Sequence, residues 1–222
     1  MNPNHHDHLR DVTQSREIID ISPLISEALA VWPGDTPVQR DMLCDISQGS
    51  NIDLSTIRAT VHLGAHADAP HHYHRDGQTM ESLSLSPYIG PCMVVSVPQV
   101  PLILPKHCET ALKSCAKRIL FKTRSYPNPN VFNENFTAFH ADAVAAMGEA
   151  GVILIGIDTP SVDPFHSKDL PAHQMLFRHR IANLEGLVLD HVTDGLYELI
   201  ALPLKLKGFD ASPVRAILRD LE

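Results

Sequence analysis

An α/β fold in one domain is the reading this sequence supports, on three observations. Helix-like stretches alternate with short apolar runs: Lys106–Lys117 precedes RILFKT (118–123), Ala141–Gly151 precedes VILIGI (152–157), and a stretch beginning at His173 precedes GLVLD (186–190). Polar residues gather where an apolar run ends, as Asp158, Ser161 and Asp163 do after VILIGI, and strand ends are where α/β proteins place working groups. A chain of 222 residues is long enough for one sizeable core and too short to require two.

The composition agrees, with 44% hydrophobic and 20% charged residues, ordinary values for a globular chain. A net charge of −8 without any dense basic cluster argues against a nucleic acid or an anionic membrane as partner. Residues 1–16 read as a polar, flexible leader ahead of a domain over 17–222, and His5, His6 and His8 within it read as part of that leader rather than as a metal site. The leader lacks the apolar core of a signal peptide, and no run of eighteen apolar residues exists, so a cytoplasmic protein is expected. Cys44, Cys92, Cys108 and Cys115 form no CxxC pair and read as reduced thiols.

In chain order, EIIDISPLI from Glu17 suits a first strand. VWPGDTPVQ (31–39) is rich in turn residues and carries the only tryptophan, Trp32, which reads either as a core plug or as a flat wall for an aromatic substrate. Leu54–His62 is a β-like run that leads into VHLGAHADAPHHY (61–73).

That last stretch packs four histidines and an aspartate into thirteen residues. Gly64 and Pro70 disfavour a helix. In an extended chain His62, Gly64, His66 and Asp68 share one face, while Val61, Leu63, Ala65 and Ala67 share the other. Gly64 then leaves room for an ion, and two imidazoles with a carboxylate suit a borderline divalent cation such as Zn²⁺. Pro70 turns the chain, and His72 beyond it is placed for proton transfer rather than ligation. His71 and His74 are expected to face solvent or supporting groups.

Further along, Cys92–Val97 reads as a buried strand, and Ser125–Phe136, rich in asparagine and proline, as an exposed irregular loop of the kind that closes over sites. Asp158 and Ser161 read equally well as loop caps or as functional groups. His173 is expected to start a helix running to about Asn183, with Glu185 opening the strand GLVLDHV; a tight return would bring the two together as additional ligands. His179 is expected mid-helix and solvent-facing. YELIALPLK reads as a strand, followed by a proline-initiated terminal helix anchored by an Arg215–Asp210 pair. No internal repeat is visible.

VWPGDTP, HLGAHADAPHHY, IGIDTPSVDP, the His173–Glu185 pair before GLVLD, and YELIALPLK followed by DASPVRA occur in an order that resembles the metal-dependent cyclase-like hydrolase family, from about Ile18 to the C-terminus. The resemblance implies a swivelling β/β/α fold, with a mixed, barrel-like sheet flanked by helices, assembled as a homodimer. It implies one zinc held by His62 and His66 with Asp68 and Glu185, and a second ligated by His173 and bridged by the same carboxylates. His72 would be the proton donor and acceptor, and Trp32 would contact substrate. Ala65 stands where the family often has threonine, at a position that is not a ligand. The implied activity is hydrolysis of N-formyl-L-kynurenine to L-kynurenine and formate by a metal-activated hydroxide, with Arg124 a candidate for the substrate's amino-acid end. The alternatives are a related amidase or isatin-type lactam hydrolase, with Mn²⁺ possible, and a non-catalytic metal-binding protein, which would leave Trp32 and His72 without a role.

Overall fold

The computed structural model describes residues 17–97 and 99–221; the leader, with His5, His6 and His8, lies outside the described residues. The chain forms β1 (Ile18–Asp20), β2 (Gln39–Cys44), β3 (Leu54–Arg58), β4 (His66–Asp68), β5 (Ile89–Ser96), β6 (Leu102–Ile103) and α1 (Pro105–Lys113). It continues through β7 (Arg118–Lys122), β8 (Ala138–Phe139), α2 (Ala141–Glu149), β9 (Leu154–Ile157), α3 (Pro171–His179), β10 (Ala182–Glu185), β11 (Gly195–Ile200), β12 (Ala211–Pro213) and β13 (Ile217–Asp220).

Nine strands make one mixed sheet in the order β1-β13-β11-β5-β7-β9-β10-β4-β12. Its centre, β5-β7-β9-β10, is parallel and sequential. Right-handed crossovers between strands added in one direction carry every connecting helix to the same face. Side-chain alternation shows this directly: Ile119 and Phe121 of β7 and Ile155 and Ile157 of β9 bury against Cys108 and Ala111 of α1, Val144 and Met147 of α2 and Leu176 of α3. The other face of the sheet curls on itself. Val94, Leu120 and Leu184 share a core there with Ala67, Leu199 and Leu218 from the antiparallel flanks. The C-terminal ends of β7, β9 and β10 lie side by side, which gathers Thr123–Arg124, Asp158–Pro160 and Glu185–Gly186 at one edge.

The histidine stretch is strand only over His66–Asp68. Gly64 sits at φ +57°, so the segment before it bends and the expected single extended face does not form. Nor does Gly64 make room for an ion: a Cβ there would meet Pro23 Cγ at 2.9 Å, and a Cβ on Gly186, at φ +65°, would meet the Gly64 carbonyl at 2.2 Å. The two glycines let the backbones flanking β4 and β10 touch.

α3 stops at His179, because Arg180 adopts φ +56° and turns the chain into β10. Glu185 therefore ends a strand instead of opening one, and GLVLD is irregular. His179 is the last helical residue, half-buried beside Gly148 of α2. The terminal helix is replaced by β12 and β13, since the sheet supplies edge partners that local proline and alanine signals do not reveal. Arg215 binds Asp20 at 2.7 Å, and not Asp210. All four cysteines are free, and no helix among the described residues is long and apolar enough to cross a membrane.

Candidate metal centre

Strand register builds the centre. β4 and β10 pair antiparallel with Glu185 opposite His66, and continuing that register puts Asn183 opposite Asp68. All four are buried. His66 Nε2 lies 3.3 Å from Glu185 Oε2 and 3.5 Å from Asp68 Oδ1. Asn183 donates its amide to Asp68 Oδ2 at 2.7 Å and to Glu185 Oε1 at 3.2 Å.

His173 arrives from the first turn of α3. Asp163, in the loop after β9, accepts from the Ala172 and His173 backbone N–H groups at 2.9 and 3.0 Å and caps that turn. The same carboxylate meets His173 Nδ1 at 2.7 Å, which leaves Nε2 facing Asp68 Oδ2 at 3.4 Å and Glu185 Oε1 at 3.5 Å. His62 comes from the bend ahead of β4, with Nδ1 3.1 Å from Asp68 Oδ1. Ligand atoms of His62, His66 and Asp68, and of Asp68, His173 and Glu185, lie within 4.8 Å of one another, so Asp68 belongs to both groups.

The chemistry of these donors calls for a cation. His66 gives its Nδ1–H to the Gly64 carbonyl at 2.9 Å, so Nε2 turns a lone pair toward two carboxylates. Lone pairs and anionic oxygens at 3.3–3.5 Å repel unless positive charge lies between them. His66 Nε2 and Asp68 Oδ1 are buried without a hydrogen-bond partner, as atoms reserved for a ligand would be. The residues present therefore fit a divalent ion.

The cluster's electrostatics favour charged imidazoles beside ionised carboxylates. Burial alone would lower the pKa of His62, yet hydrogen bonds and charge from Asp68 and Asp210 raise it to about 9. His173 is raised well above the ordinary range against the same burial effect, by hydrogen bonds to Asp163, Asp68 and Glu185. Burial would lift Asp68, but its hydrogen bond to His173 and the His62 and His66 imidazoles beside it hold it far below the usual carboxylate range. Burial and the Asp68 charge would raise Glu185, but the His173 and His66 imidazoles beside it lower it.

His62, His66, His173 and Glu185 form part of the wall of a cavity of about 580 Å³, within the usual range for small-molecule sites. Trp32 lines it, tilted on Phe165 at 4.9 Å and edge-on to Phe132 at 5.5 Å. Tyr126, Pro129 and Phe132 come from the Ser125–Phe136 loop, which walls the cavity. His72 also lines it, one-third exposed, its ring 4.2 Å from that of His62. Burial holds the His72 pKa below the ordinary histidine value. His71 is exposed, and His74 stacks on Phe177 at 3.7 Å.

Of the polar trio after β9, Asp163 bears on His173, whereas Asp158 accepts from Thr123 and Arg124 and fixes their turn. Ser161 Oγ accepts from the Asp163 backbone at 3.1 Å. Sequence reasoning missed Asn183 and Asp210. Asn183 lies two residues before Glu185, so strand period would have put both on one face. Asp210 offers no such signal, because its contacts to His62 and His72 come from a segment distant in sequence.

Imidazoles and carboxylates meeting in this number beside a cavity are the working set of metal-dependent hydrolases, the class that fold and site define. The chain belongs to the cyclase family: the family model described as "Putative cyclase" matches residues 19–164. It is 42% identical over 207 residues to a kynurenine formamidase of Bordetella petrii, covering 93% of this chain and 99% of that protein. Among solved structures it is similar to one titled a predicted metal-dependent hydrolase from Bacillus stearothermophilus, with TM-score 0.79, 27% identity, and coverage of 93% of this chain and all of that one. Isatin hydrolase A from Labrenzia aggregata shares the fold at TM-score 0.78 and 20% identity, over 93% of this chain and 94% of that one.

Proposed function

We propose that this protein hydrolyses N-formyl-L-kynurenine to L-kynurenine and formate. The observation that carries the reading is the buried histidine–carboxylate cluster opening onto a cavity walled by Trp32 and Phe132, in a chain 42% identical to a kynurenine formamidase. In this reading two zinc ions per subunit would be held by His62, His66 and His173 together with the Asp68 and Glu185 carboxylates. Such ions, when bound, lower the pKa of water and polarise a carbonyl oxygen.

The chain's own residues supply the rest. Trp32 and the aromatic side chains beside it bind the aryl ring and exclude water. In the net reaction the amide C–N bond breaks, the oxygen of water bonds to the formyl carbon, and the departing anilide nitrogen gains a proton. His72, at the cavity wall beside His62, takes the proton from water and returns it to that nitrogen, which leaves poorly unprotonated. Asp190 lines the cavity and lies 3.8 Å from Arg124, which suits the pair to the substrate's ammonium and carboxylate. The reading includes a cytoplasmic homodimer; the four free cysteines support the compartment.

The test is turnover of N-formyl-L-kynurenine by chelator-stripped protein before and after adding Zn²⁺ or Mn²⁺. Zinc-restored hydrolysis is expected. Turnover of isatin but not of the formamide would replace the substrate, and metal binding with no turnover of either would replace the enzyme reading.

A further inference from the structure

Asp210 immediately precedes β12, and its carbonyl accepts the Ala69 N–H at 2.8 Å just beyond β4. The adjoining pair is Ala211 opposite Asp68. Residue 210 is thus fixed against the turn from which His72 emerges, where His72 N–H bonds the Ala69 carbonyl at 2.8 Å. From there one carboxylate oxygen, Oδ2, reaches two imidazoles: His62 Nε2 at 3.0 Å and His72 Nδ1 at 3.4 Å. The other nitrogen of His62 faces Asp68. The carboxylate lines the cavity and gathers with His62 and His72 into a third cluster of possible ligand atoms, which joins the two buried groups through His62.

An imidazole that donates one N–H to a carboxylate is held in a single tautomer and orientation, and its other nitrogen becomes a better donor of its lone pair. We propose that Asp210 is a positioning residue for two rings at once: it accepts a hydrogen bond from His62 at 3.0 Å and holds His72 by charge at 3.4 Å. Through His62 it sets a metal ligand, and through His72 it sets the group that moves the proton. Because one oxygen serves both, the spacing between ligand and proton carrier is held by a single side chain. The His72 half rests on the formamidase reading above; the His62 half rests only on metal binding.

The test uses the full chain with Asp210→Asn, which keeps shape but removes the charge and replaces one acceptor with a donor. Zinc affinity is measured by chelator competition, ligand geometry by the visible spectrum of the Co²⁺-loaded protein, and kcat and KM on N-formyl-L-kynurenine at saturating zinc. Zinc affinity and kcat are each expected to fall about 10- to 100-fold, with KM nearly unchanged and a shifted Co²⁺ spectrum. In a His72→Ala background the kcat loss from Asp210→Asn should largely vanish, since the ring it positions is gone. Unchanged zinc affinity together with unchanged kcat overturns the assignment, as does a full additive loss in the double variant. A loss of one bound ion per chain, instead of weaker binding, also overturns it by making Asp210 a ligand. If the loaded parent does not hydrolyse the formamide, the formamidase reading fails, and unchanged affinity and spectrum in Asp210→Asn would still overturn the metal half. Should the Asn variant not fold by circular dichroism, Asp210→Ser is judged by the same criteria.

Discussion

The side-chain amide of Asn183 donates to Asp68 Oδ2 at 2.7 Å, with both residues shut off from solvent. It is the neutral group placed between two carboxylates, Asp68 and Glu185, that would otherwise face each other in a buried space. Asn183→Ala is expected to destabilise the metal-free protein by roughly 1–3 kcal/mol, the cost of leaving buried acceptors unsatisfied. Asn183→Asp should cost more, and saturating metal should recover part of the loss. Urea unfolding with and without zinc measures both; equal stability of parent and Ala variant would contradict the role.

Asp163 ties the start of α3 to its histidine. Asp163→Asn keeps the shape but places an amide against His173 Nδ1, disturbing the tautomer that leaves Nε2 free. Metal affinity is expected to fall about 10- to 100-fold with the fold retained. Chelator competition beside a circular dichroism spectrum decides it.

His72 lies outside the two buried ligand groups. His72→Ala is therefore expected to keep its full metal content and lose about two or more orders of magnitude in kcat, the usual scale of proton-transfer catalysis. Full activity would remove His72 from the mechanism, and lost metal would make it a ligand.

Metal uptake by stripped protein should release protons. With its pKa raised to about 9, against burial, by Asp68 and Asp210, the His62 ring is charged at pH 7 and gives up that proton to offer a lone pair. A folded pKa above the ordinary 6.5 means that the metal-free fold keeps this stabilisation fully below pH 6.5 and loses it as pH rises through about 9. Zinc affinity should climb over the same window. Acidification of a weakly buffered solution during zinc titration is the expected result, and a titration with no proton release would argue against His62 as a ligand.

Much of the parallel core was legible locally, because its signals are local: an alanine-rich run ending in Gly151, and β-branched runs such as that over Leu154–Ile157. The C-terminal strands were not. β12 and β13 are three and four residues long, and they exist because β4, β11 and β1 offer them edges. The helix expected to reach Asn183 ended at His179 because Arg180 takes a left-handed conformation that no residue type announces.

By itself the sequence singled out candidate groups, since His62, His66, Asp68, His72, His173 and Glu185 stand out by residue type, by spacing along the chain and by resemblance to the family. Tertiary structure alone decided how they meet. The β4–β10 register set Glu185 against His66, the Gly64–Gly186 contact let those backbones close, and β12 brought Asp210 to His62 and His72. The physical reason is that strand pairing and backbone contact between distant segments are properties of two chains of atoms at once, and spacing along one chain records neither.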